Sequence, residues 1–141
     1  MPSASLSPVF SFTAPPGSGP RHLEFHPSGK FCYVAHEISC AVEALSYDQA
    51  TGELRSIGLL TALPEGWPGG VSFPAAEGCP LGTSTSEAHV SKDGRFVYVG
   101  VRVVAAEGLI TIFVRLPLLT FLRMLKMRRI ARLGLNLTCS Q

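Results

Sequence analysis

The chain has 141 residues, of which 46% are hydrophobic and 16% charged, enough length and apolar content for one domain with a core and too little charge for a disordered chain. Fourteen glycines and 11 prolines favour short strands and turns over long helices. The net charge of +2 excludes a strongly basic nucleic-acid binder, but Arg115, Arg123, Lys126, Arg128, Arg129 and Arg132 all follow the last acid, Glu107, so a basic tail succeeds an acidic body.

The first ten residues, MPSASLSPVF, have no basic region and no apolar run, so no secretory signal is expected and the cytoplasm is the expected location. The four cysteines, at 32, 40, 79 and 139, form neither a CxxC nor a Cys/His metal spacing. They are read as incidental thiols of a reduced intracellular protein, with no metal and no cofactor expected. The sequon at Asn136 to Thr138 is idle in that setting.

Residues 9–14, VFSFTA, alternate as a strand does. Residues 20–37, PRHLEFHPSGKFCYVAHE, then align without a gap on residues 85–102, TSEAHVSKDGRFVYVGVR. At this offset of 65, Gly29 falls on Gly94, Phe31 on Phe96, Tyr33 on Tyr98 and Val34 on Val99. Each copy predicts a β-hairpin: a short strand (23–26 or 88–91), a polar turn (27–30 or 92–95) whose glycine adopts φ > 0, and a second strand. After the first hairpin, strands are predicted over 41–47 and 53–60 around a turn at 48–52, completing a four-stranded meander. After the second, 109–114 supplies a third strand.

Four-stranded antiparallel units repeated at this spacing are the signature of a β-propeller. Residues 9–14 then fit the outer strand of a preceding blade. A six- to eight-stranded sandwich suits the same alternation, but nothing in a sandwich requires the hairpin to recur with its turn glycine in register. Residues 62–86 are rich in Pro, Gly and Ser, and are read as a long blade-linking loop.

These stretches, with YDQATGELRSIGLLTALPEG between them, resemble the lactonase family of seven-bladed β-propellers, which includes bacterial-type 6-phosphogluconolactonases and fungal carboxymuconate-cyclising enzymes. The resemblance covers residues 9–114 and implies an all-β fold, an incomplete β-propeller of about two blades. It also implies a role in carbohydrate metabolism, in the pentose phosphate pathway. The Asn-Glu and Asn-Arg pairs usual in the family stand here as His36-Glu37 and Val101-Arg102, keeping only the charged member.

In the 65-residue register His22 falls on Glu87, and equivalent positions on the inner strands of neighbouring blades face the same end of the central channel. Lactone hydrolysis needs a base to take a proton from water and donors to hold the oxyanion. His22 suits the base, and Glu87 either its orienter or a second group sharing the proton work. The resemblance implies a His and a Glu from these motifs as catalytic residues, with arginines for an anionic lactone. Arg21 and Arg102 are the candidates to bind its phosphate or carboxylate. Glu37 is placed at the rim, and Glu24, His26 and His89 are read as structural. A non-catalytic propeller repeat used for binding is the alternative function.

The region 115–141 is read as a non-family basic apolar tail, helical after Pro117. It is too charged to span a bilayer. An acidic membrane surface or a binding partner would suit residues 116–137, but the abrupt start inside a blade favours sequence from an alternative exon or a shifted reading frame, without a selected role. Two blades alone leave apolar faces and strand edges bare, so self-association is expected and little or no activity from this chain by itself.

Overall fold

The computed structural model describes residues 7–63, 67, 82–105 and 108–117; the expected tail helix and most of residues 62–86 lie outside them. Among these residues seven strands follow in order: β1 (Pro20–Phe25), β2 (Phe31–His36), β3 (Ala41–Tyr47), β4 (Leu54–Thr61), β5 (Gly82–Val90), β6 (Phe96–Ala105) and β7 (Gly108–Pro117). β1 to β4 make one antiparallel meander and β5 to β7 another. The fold is all-β, a partial propeller of one four-stranded and one three-stranded sheet.

The repeated hairpins close in the same way. Gly29 N–H donates to His26 O and Gly94 N–H to Ser91 O, each at 2.8 Å. Both glycines have positive φ, 66° and 68°, where a Cβ would be strained. At Gly94 it would also stand 2.3 Å from His26 Nε2. The β3–β4 turn is held by Asp48, whose Oδ1 accepts from Ala50 N–H at 2.8 Å, an Asx turn.

The core lies between the sheets. Tyr33, Ala35, Val42 and Ala44 of the first pack on Ala88, Val97, Val99, Val101 and Val103 of the second. At the repeat offset Val97 corresponds to Cys32 and Val99 to Val34, yet Cys32 and Val34 belong to a separate cluster with Leu45 on the other face of the first sheet. Opposite faces of equivalent sheets therefore meet. This head-to-tail arrangement propagates around a ring, whereas a two-fold sandwich would bury equivalent faces.

Two sequence expectations are corrected. Residues 9–14 form no strand and join neither sheet; Phe12 instead packs on the Cys32, Val34, Leu45 cluster. Residues 82–86 are not loop but the first half of β5. Their Ser/Thr composition masks a strand whose Thr83 and Thr85 are fully buried, made tolerable by side-chain hydrogen bonds.

Outside the shared core, His36 Nε2 lies 3.0 Å from Glu43 Oε2, both buried, and Ser56 Oγ donates to the other carboxylate oxygen. Leu23 and Phe25 on β1, and Tyr98, Ile112 and Phe113 on the second sheet, are exposed. Among the described residues no helix is long and apolar enough to cross a membrane.

Burial pushes the Cys32 thiol up to about 11 from 9.0, and raises the Cys40 thiol and the Tyr33 phenol. Each group is held neutral in the folded state and ionises earlier when unfolded, so its stabilisation is complete below the unfolded pKa and is lost as pH rises. Urea midpoints should stay level between pH 7 and 8.5 and fall progressively from about 9 toward 11, and a Cys32→Ala, Cys40→Ala variant should lose part of that fall.

Candidate active site

The four site residues predicted from sequence gather where β5 meets the first sheet. β5 is an edge strand, and its register with β6 shifts between Thr85 and Ala88, a bulge that redirects backbone groups. Arg21 Nη1 donates to Ser86 O at 2.6 Å. Ala88 N–H donates to His22 Nδ1 at 3.1 Å. Thr85 N–H donates to Glu37 O at 3.3 Å, and Thr85 Oγ1 to His36 O at 2.7 Å. The unpaired edge of β5 is thus satisfied by the ends of β1 and β2.

The bond to Ala88 fixes the chemistry of His22. A backbone N–H can only donate, so Nδ1 is the acceptor and the neutral ring carries its proton on Nε2. In this geometry His22 presents a donor. It suits stabilising an oxyanion or protonating a leaving oxygen better than the base role expected for it.

Glu87 is brought close, but its carboxylate does not meet His22. Glu87 Oε2 lies 3.5 Å from His89 Nε2, with both side chains more than half exposed. His89 in turn stands edge-on to His22, ring centroids 5.3 Å apart. Glu87 and His89 are two apart on a strand and share a face. His89, read as structural from the sequence, therefore sits between the two expected partners.

Arg21 and Arg102 come from different sheets and converge on one carboxylate. Glu37 Oε1 accepts from Arg102 Nη2 and lies 3.8 Å from Arg21 Nε. Glu37 and Arg102 are 65 residues apart, so they are equivalent positions of the repeat with opposite charges. That complementarity was the available sign that Glu37 belongs with the arginines. His26, which the sequence placed outside the site, ties the two hairpin turns together, with Ser28 N–H donating to its Nδ1 at 3.0 Å and its Nε2–H to Gly94 O at 3.0 Å.

Among the described residues no group of three or more His, Cys, Asp or Glu could hold a metal ion. A groove of about 260 Å³ reaches Arg21 and His22 from the other face of the first sheet, between Phe12, Ala14 and the strands. Its walls are mainly apolar.

The family described as "Lactonase, 7-bladed beta-propeller" matches residues 2–124. The chain is 40% identical over 87 residues to a 6-phosphogluconolactonase of Bacillus subtilis, covering 62% of this chain and 22% of that protein. It is 32% identical over 97 residues to one of Pectobacterium carotovorum, covering 69% and 25%. Among solved structures, a protein from Lactobacillus plantarum matches with a TM-score of 0.53 at 28% identity, over 73% of this chain and 30% of that one. A periplasmic gluconolactonase of Pseudomonas aeruginosa matches with a TM-score of 0.50 at 28% identity, over 75% and 28%. The chain spans about a quarter of the length of the curated relatives it matches.

The tautomer of His22 is open to measurement. In nitrogen-15 NMR at pH 8 its ring should show the proton on Nε2 and an acceptor Nδ1. A ring protonated on Nδ1 would contradict the bond to Ala88.

Proposed function

Because the chain belongs to the lactonase family of seven-bladed β-propellers, we propose that it carries part of a lactone-hydrolysing centre acting on a sugar lactone with a phosphate or carboxylate group, as in the 6-phosphogluconolactonases it resembles. The observation that carries this reading is the convergence of Arg21 and Arg102, from neighbouring sheets, on the Glu37 carboxylate, while Arg21 and its chain neighbour His22 both bond the bulged stretch of β5. Two guanidiniums at one point suit a multiply charged anion, which each can meet through parallel N–H donors.

In the reaction a water attacks the lactone carbonyl, the ring C–O bond breaks, and the product is a hydroxy acid. Arg21 and Arg102 bind the anionic group and fix the carbonyl's position. His22 donates from Nε2–H to the oxygen that gains charge. Glu87, with His89 against it, takes the proton from water and returns it to the ring oxygen as the C–O bond breaks. The chemistry calls for no cofactor, and the cytoplasm, where sugar phosphates of the pentose phosphate pathway are made, is the proposed location.

The binding-module reading draws on the exposure of Glu87 and His89, each over half open to water, since acid–base groups act best where water is excluded. In a ring, a further blade would cover that face. With two sheets described and apolar residues such as Phe113 two-thirds exposed, the 141-residue chain alone is expected to self-associate and to be a poor catalyst.

The test is hydrolysis of 6-phosphogluconolactone against the spontaneous rate. The chain alone should stay near the spontaneous rate. A ring completed with the remaining blades of the Bacillus subtilis relative should accelerate it, and His22→Ala or Glu87→Ala in that ring should each cost about 100-fold or more. A ring that works equally well with both alanines would remove these residues from the site.

A further inference from the structure

We propose that Glu37 is a positioning residue for anion binding: its carboxylate gathers the guanidiniums of Arg21 and Arg102 so that their remaining N–H groups address the same anionic group. The inference rests on the reading of those two arginines as substrate-binding.

Glu37 is built into place before its side chain does anything. Its N–H donates to Gly19 O at 2.7 Å and its carbonyl accepts from Thr85 N–H, so the backbone is tied both to the loop before β1 and to β5. The loop passes so close that a Cβ on Gly19 would stand 2.7 Å from Ile38 Cγ1, and Gly19 itself has a φ of 66°. From this anchored position one carboxylate oxygen serves both arginines.

Two guanidiniums brought together without an intervening anion repel. Glu37 removes that repulsion while consuming few of the five N–H donors each arginine has. Arg21 gives Nη1 to Ser86 O and Arg102 gives Nη2 to Glu37. Arg102 Nε is buried with no hydrogen-bond partner among the described residues, a donor left over in a charged cluster. Stability accounts least for the second contact: Arg21 is 40% exposed and its Nε lies 3.8 Å from Glu37 Oε1, and an ion pair that open to water contributes little.

A positioning role and a merely neutralising one differ in sign. Removing a carboxylate makes the cluster more positive, so if Glu37 only offset charge, its loss would tighten anion binding. If it holds the guanidiniums in place, its loss weakens binding despite the added positive charge.

The experiment is a calorimetric titration of the 141-residue chain with 6-phosphogluconate at fixed ionic strength. Glu37→Gln should bind about tenfold more weakly than wild type, and Glu37→Asp, which keeps the charge on a shorter arm, should fall between them. In parallel, the Arg102 Nε–H resonance should be distinct in wild type and averaged with the other arginines in Glu37→Gln while the amide spectrum stays dispersed. If Glu37→Gln does not fold, the Glu37→Asp loss decides. Binding that is equal or tighter in the variants overturns the role of Glu37 and leaves the arginine reading standing. Failure of wild type to bind, or equal binding by an Arg21→Ala, Arg102→Ala variant, overturns the arginine reading and this inference with it.

Discussion

A strand at the edge of a sheet carries N–H and C=O groups that its own sheet cannot satisfy, and burying them unpaired is costly. In β5 those groups are met by the first sheet. Arg21 takes Ser86 O, His22 takes Ala88 N–H, Glu37 O takes Thr85 N–H, and Cys40 Sγ donates to Thr83 O at 3.2 Å. The bulge at Thr85 to Ala88 sets which backbone groups face outward. Every candidate functional side chain of the first sheet is placed by this junction, so site and inter-sheet packing are one construction. A change to His22 or Arg21 therefore touches both, and the isosteric variants are the informative ones.

The second organising fact is that unlike faces meet. Ala88 is fully buried in the shared core, whereas its repeat equivalent Leu23 is 40% exposed on the far face of the first sheet. A further copy of the second sheet's contact would cover Leu23, and a further copy of the first would cover Tyr98 and Phe113. The repeat thus specifies a direction of growth, the geometric content of the propeller family to which the chain belongs.

Much of this was legible in the sequence because the repeat fixes register. Gly29 and Gly94, Phe31 and Phe96, and Tyr33 and Tyr98 located both hairpins, and the offset of 65 brought His22 to the neighbourhood of Glu87. What the offset could not give is edge chemistry. Equivalence places two residues on corresponding strands but does not say that a bulge turns Ala88 N–H toward His22, or that Glu87 finds His89 first. The first half of β5 escaped because GTSTS has no apolar alternation; its burial depends on hydroxyl partners such as Thr85 Oγ1 on His36 O. Residues 9–14 misled in the opposite sense, since alternation signals a strand only where a neighbouring strand is present to pair with it. Glu37 was underread because its significance lies in a partner 65 residues away.

The candidate site depends on the docking of β5 against the first sheet, and native-state hydrogen exchange of two amides tests that docking most directly. Ala88 N–H and Thr85 N–H have partners across the junction, His22 Nδ1 and Glu37 O. If the junction forms in solution, both should exchange as slowly as the amides of Val34 and Val42 inside the first meander. Exchange of Ala88 and Thr85 at the rate of an unprotected loop, with Val34 and Val42 still protected, would mean that the sheets fold without meeting and that no site is assembled between them.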